Sequence, residues 1–155
     1  MKKITVFKRD YVTELVKIIR NAKNAQTLQR HLSNYHDKDI AEAITKLSET
    51  ERMRLYTMID IPRLAEIFSY LDDAEPYLKE LPSEKAANVV SHMDSDDAVD
   101  ALDDLEEEDK AKIVGQLDKD SAEDVKMLLS YDEDEIGSRM TTNYISIKND
   151  MTIRQ

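Results

Sequence analysis

From residue 81 onward the chain repeats one phrase: LPSEKAANVVSHM (81–93), MDSDDAVDALDDL (93–105), LEEEDKAKIVGQL (105–117) and LDKDSAEDVKMLL (117–129). Leu81, Met93, Leu105, Leu117 and Leu129 stand twelve residues apart. Val89, Ala101, Ile113 and Val125 keep that spacing, as do Val90, Leu102 and Val114 until Lys126 ends their series. An earlier run, Leu47, Ile59 and Leu71, has the same period, and the segment 72–81 is two residues short of a unit. At about 100° per residue, twelve residues turn a continuous helix by three circuits and about 120°. The repeated apolar face would therefore wander round a single long helix without forming a stripe, so each unit must be its own short helix.

The junctions agree, because each places a capping or breaking residue where the next unit begins: Ser48 with Glu51 as a capping box, Asp60 before Pro62, Pro82-Ser83, Asp94 and Asp118. Helices of two or three turns bury little alone and must stack. The expected fold is all-α, a superhelix of short tandem helices with repeats of about ten to twelve residues. Periodicity leaves its hand open. Two helices precede the repeats, Asp10–Asn21 with Leu15, Val16, Ile18 and Ile19 inward, and Ala25–Tyr35 with Leu28 and Leu32 inward. After Tyr131 the rhythm stops. DEDEIGSRM reads as one more helical turn closed near Gly137, and TTNYISIKNDMTIRQ as a strand over Tyr144–Ile147, a turn at Asn149-Asp150 and a helix capped by Thr152 that the chain does not complete. The chain is expected to end inside a second structural unit.

Composition supports helices: the 155 residues include 2 Gly, 3 Pro and no Trp. Cys is absent, which excludes disulfides, thiolate metal sites and cysteine nucleophiles. Lys8, Arg9 and Asp10 follow the N-terminal apolar run at once, so it is no signal peptide, and no apolar stretch approaches the ~20 residues of a membrane span. The chain is expected to be soluble as it stands. Its net charge of -11 is polarised: residues 1–36 carry eight basic and two acidic side chains, residues 72–136 six and twenty-three. Such a pole repels phosphate backbones and attracts cations or basic partners, so nucleic-acid binding by the acidic part is not expected.

The densest acid lies in SHMDSDDAVDALDDLEEED, ten carboxylates in residues 91–109 with no basic side chain. With Asp96 at zero on a helical wheel, Asp100, Asp103 and Asp104 fall at about 40°, 340° and 80°, and Ala98, Ala101, Leu102 and Leu105 gather near 140–240°. Acids form one face and core residues the other. A polar outer face on an amphipathic helix accounts for this blandly. Like charges at i,i+4 spacing nonetheless repel by a few tenths of a kcal/mol per pair, and a hard divalent cation is the simplest ligand to offset that. An EF-hand fails, since Val99 stands where its loop needs Gly and Leu105 where it needs Glu. Carboxylates with retained water favour Mg²⁺, and a single helix face offers it one wall.

Catalysis is not expected. His31, His36 and His92 share no metal-binding spacing and read as surface or partly buried residues. No phosphate-binding glycine loop or nucleophile elbow occurs. Tyr56, Met58 and Tyr70, at helical spacing, are expected in the core.

The tandem units, of the form L-x-x-x-x-A-x-x-[VIL]-[VIL]-x-x-[LM], followed by LLSYDEDEIGSRMTTNYISIKNDMTI, resemble the N-terminal cytosolic domain of the MgtE family of bacterial magnesium transporters. The most specific part is SYDEDEIGSRMTTNYISI, which is similar to the family's junction into a cystathionine-β-synthase-type (CBS) domain pair. The resemblance covers roughly residues 37–155, with departures at Ser138 and Arg139, where relatives often have Gly and Leu, and at Thr142, where Pro is usual. Beyond the N-terminal helices read over 1–36, it implies a right-handed superhelix domain over 37–136, and a linker with the start of a truncated CBS domain over 137–155. It further implies a Mg²⁺-sensing regulatory domain on the cytoplasmic side of the bacterial membrane. In the family Mg²⁺ binds between this domain and the CBS pair and closes a dimeric, multi-pass membrane channel. Carried over by position, Asp96 and Asp100 match metal ligands, with Asp97 a neighbour, Glu66 in LAEIFSYL a weaker match and Gly137-Ser138 a source of a carbonyl. The implied partners are the protein's own CBS and membrane domains and a second copy, with no small-molecule substrate on this domain. From another class, short-helix stacks of flagellar motor switch proteins suggest a protein-interaction scaffold without metal sensing. A scaffold has no need of the MTTNYISI junction.

Overall fold

The computed structural model describes residues 10–128. The expected strand, the CBS start and the Gly137-Ser138 carbonyl lie outside those residues. Within them the chain forms ten helices and no strand: α1 (Tyr11–Asn21), α2 (Ala25–Leu32), α3 (Asp37–Ile44), α4 (Glu49–Tyr56), α5 (Ile61–Ser69), α6 (Glu75–Lys79), α7 (Ser83–Val90), α8 (Ser95–Asp103), α9 (Glu107–Val114) and α10 (Lys119–Leu128).

One elbow, reused, explains the period of twelve. At Leu47, Leu71, Leu81, Met93, Leu105 and Leu117 the backbone amide donates to the carbonyl three residues earlier, at 3.0 to 3.3 Å, which tightens the last turn of the helix. After Leu47, Leu81, Met93 and Leu105 the next residue is extended and starts the following helix, whereas after Leu71 the chain runs on through Asp72 and Asp73 to α6, capped by Ala74 in a helical conformation. His36, Ser48, Asp60, Pro82, Asp94 and Glu106 all lie between φ -72° and -55° and between ψ 142° and 157°. No residue of the described chain has positive φ, so the elbow needs no glycine, and a chain with only 2 of them turns nine times. The caps are partly as expected: Ser48 and Glu51 form the capping box, Asp60 accepts from the Arg63 amide, and Asp118 from the amides of Asp120 and Ser121. Asp94 takes the cap position without bonding the helix backbone through its side chain, and Pro82 rather than Ser83 is the cap of α7. The short unit 72–81 becomes α6, five residues long.

Packing follows from the elbows. The odd-numbered helices form a continuous row, α1 on α3, α3 on α5, α5 on α7 and α7 on α9, while α8 packs on α10 and α5. The repeat residues fill the seam: Leu47, Ile59, Leu81, Met93 and Leu105 are buried, and Leu71 and Leu117 half-buried. Phe68 lies at its aromatic centre, 5.5 Å from the ring of Tyr56 and 6.3 Å from that of Tyr77, both edge-on.

Through α7 the row is also stitched by polar side chains that reach one layer across. Arg54 donates to the carbonyls of Ile19 and Arg20, Arg63 to Leu32 and to the Asp37 carboxylate, Gln29 to Met58, and Lys85 to Tyr56. Each satisfies a helix C-terminus that has run out of amides. The most enclosed tie is Arg52, whose guanidinium lies over the Tyr77 ring and pairs with Glu80; Glu80 also accepts from the Tyr56 hydroxyl at 3.3 Å. Burial pushes that hydroxyl far above the ordinary tyrosine range.

Two expectations change. Helix α2 stops at Leu32, not Tyr35, because Ser33 and Asn34 turn their side chains back onto the carbonyls of Arg30 and His31. Tyr56 is buried and Met58 half-buried, but Tyr70 is 48% exposed. It caps the C-terminus of α5, where the chain has left the helical register that carries Ile67 and Phe68 inward.

Candidate functional site

The acidic face is built on α8. Ala98, Val99, Ala101 and Leu102 are buried, and so is Ser95. That arc is wider than the sequence face because α8 is covered from two sides, by α10 and by α5. Val99, at about 300° on the wheel, is thereby drawn inward. The acids are correspondingly divided. Asp100, Asp103 and Asp104 are exposed as expected, whereas Asp96 and Asp97 are half-buried, which corrects the expectation that all stand outward.

Asp97 faces the Ser69 hydroxyl at the end of α5, which donates to the Ala65 carbonyl at 3.3 Å. Burial raises the pKa of Asp97 above the usual aspartate value, the charges of Asp96, Asp94 and Asp100 add to that, and the polar Ser69 hydroxyl opposes it. Asp96 has a sharper feature: its Oδ1 is buried without a hydrogen-bond partner, the one such side-chain atom among the described residues. Leaving a buried acceptor unsatisfied costs about 1–3 kcal/mol, more if it is charged.

Beside this helix lies a cleft of about 130 Å³, with Ser69, Asp72 and Asp73 on one side and Asp97, Asp100 and Asp104 on the other. Five carboxylates and no cationic side chain line it. The second wall is a correction to the one-walled face read from the repeat. Its signal in the sequence was the adjacent pair Asp72-Asp73 in the shortened unit, which α6 is too short to carry away from α8. Of the expected ligands, Asp97 and Asp100 share this cleft, Asp96 adjoins them, and Glu66 is exposed on α5 outside it.

Oxygen donors of this kind suit hard cations. Among the described residues, however, no group of three or more His, Cys, Asp or Glu is close enough to hold a metal ion by itself. His31, His36 and His92 are exposed and bring no nitrogen ligand to the cleft.

Residues 35–134 match the family model of the MgtE intracellular N domain. The chain belongs to that family. Two solved structures of the family's kind share 27% of their residues with it: the soluble part of a magnesium transporter (TM-score 0.83, covering 94% of this chain) and the cytosolic domain of the Mg²⁺ channel MgtE in complex with ATP (TM-score 0.75, covering 91%). The chain spans 58% of the length of each. No curated protein matches it. The all-α superhelix read from the repeat is thus the fold of the family. Among the described residues no helix is long and apolar enough to cross a membrane.

Proposed function

We propose that this MgtE N domain is the Mg²⁺-sensing regulatory part of a magnesium transporter. Asp96 and Asp100 are metal ligands, Asp97 supports them, and Glu66 contributes from α5 when the opposing surface is in place. The observation that carries the proposal is the partnerless, buried Oδ1 of Asp96, next to Asp97 and on the helix that bears Asp100. A carboxylate oxygen in that position is stabilised by a cation, and the surrounding acids are hard donors that fit Mg²⁺. Too few ligands converge on the domain itself, so the rest of the shell comes from water and from the CBS domains that follow in the whole protein. Mg²⁺ then supplies what differential binding requires: it stabilises the arrangement in which the two acidic surfaces face each other and contributes nothing to the separated one. That coupling, transmitted to a membrane domain in a homodimer on the cytoplasmic side, would close the pore when Mg²⁺ is plentiful.

Titration calorimetry tests this on two chains, the present one and one continued through its CBS pair. Weak Mg²⁺ binding by the former and much tighter binding by the latter is expected, with the gain lost in Asp96→Asn/Asp100→Asn. Equal affinity in both chains, or submicromolar binding by the present one, would overturn the interdomain reading. A protein-interaction scaffold predicts no Mg²⁺ dependence in either.

A further inference from the structure

The polar ties described above join residues 19 to 85 to one another, 24 to 35 positions apart. Beyond α7 the composition changes. Residues 10–90 carry fourteen acidic and eleven basic side chains, five of them arginine, and six aromatic rings. Residues 91–128 carry fourteen acidic side chains against four lysines, with no arginine and no aromatic ring. Lys110 meets Asp103 at 3.4 Å and Lys112 meets Glu108 at 2.8 Å, both within this second group. Across the boundary, Lys79 approaches Asp109 at 3.9 Å with both side chains about a third exposed, and Ser69 faces Asp97 across the acidic cleft.

Helix α8 is where this charge costs most. Asp96, Asp100 and Asp104 follow one another at i,i+4, Asp103 and Asp104 sit at its negative C-terminal end with no basic residue in the last turn, and Asp96 Oδ1 is buried unpaired. Yet α8 is the helix on which α10 packs and one of those that attach this group to the row, through α5.

We infer that α8–α10 form a separately opening unit whose closure onto α5 and α7 is controlled by cation screening, while α1–α7 remain folded whatever the ionic strength. The inference goes beyond Mg²⁺ sensing and does not require it: monovalent salt serves, because the force involved is repulsion among carboxylates. In a cell such a unit would couple the order of the acidic face to the cations around it before any specific ligand shell is complete.

Hydrogen exchange read by mass spectrometry on the 155-residue chain tests it, at about 10 mM and about 300 mM NaCl, where the Debye length falls from about 30 Å to below 10 Å. At low salt the amides of α8–α10 are expected to exchange at least about tenfold faster than those of α3–α5, and NaCl to slow them several-fold while leaving α3–α5 unchanged. Asp103→Asn with Asp104→Asn, which removes charge from the unfavourable helix end, should slow low-salt exchange of α8–α10 about fivefold and flatten its salt response. Equal protection of the two groups at low salt, or no response of α8–α10 to NaCl, overturns the inference. MgCl₂ at matched ionic strength separates it from the Mg²⁺ reading: an excess of MgCl₂ over NaCl speaks to the metal site, the NaCl series alone to the screened unit.

Discussion

Helices α3 and α8 are made by the same elbow and similar apolar spacing, yet their surroundings differ in kind. Around α3 an arginine bridges layers: Arg63 binds both the Asp37 carboxylate and the Leu32 carbonyl, so that one side chain closes the end of α2 and the start of α3. Around α8 the corresponding positions are carboxylates facing carboxylates, and one oxygen has no partner. The backbone repeat therefore sets where helices go, and the side chains between layers set how firmly they stay. A planar guanidinium can satisfy a carbonyl and a carboxylate at once, which a lysine does poorly. Arg63 is the last arginine before residue 139. The repeat of this chain thus carries a tied region and a charged one on one scaffold.

The contrast can be broken most severely through the core. Phe68→Ala should remove about 4 kcal/mol from urea unfolding and lower the protection of α3–α5 and α8–α10 together, because the charged unit packs on the tied one. Leu102→Ala, although its site is equally buried, should cost less than that in global unfolding and act on α8–α10 alone. Equal effects of the two on α3–α5 would erase the distinction. Next in size are the ion pairs. Arg52→Ala, which strands Glu80 and Tyr56 in a part-buried site, is expected to cost about 2–3 kcal/mol, while Lys110→Ala, whose partners Asp103 and Glu107 are 51% and 95% exposed, should cost less than about 0.5 kcal/mol by the same measurement.

The smallest effect is a titration. The hydrogen bond from Arg20, with that from the Ser48 amide, holds the Glu51 carboxyl at about 2, below the glutamate value of 4.5. A depressed carboxylate lends stability above its unfolded pKa and withdraws it as protons are added, so the contribution of the Arg20–Glu51 pair should be complete above about pH 5 and fade toward pH 2. Carbon NMR of the Glu51 carboxyl checks this, and Arg20→Gln should return the midpoint toward the ordinary range.

The elbows were legible in the sequence because their cause is local: a closing turn, one extended residue and a side chain that drops into the seam every twelve positions. The shortened α6 was legible for the same reason. The ties were not, since Arg52 and Glu80, or Arg54 and Ile19, are brought together only by the stacking of layers. The site was half legible. Wheel angles found the acids of α8, but they assumed one covered side, and Val99, Asp96 and Asp97 show what a second covered side does to them. Asp72 and Asp73 were visible as a pair without any hint of what they would face.

The capping of α1 by Arg54 carries one more consequence. Helix α1 lies wholly outside residues 35–134, the stretch that matches the family model, yet it packs on α3, whose Ile40 and Ile44 are fully buried, and its C-terminal carbonyls are held from α4. The family's sequence signature and the packed body draw different borders here: the signature begins two helices later than what shelters those two isoleucines from water.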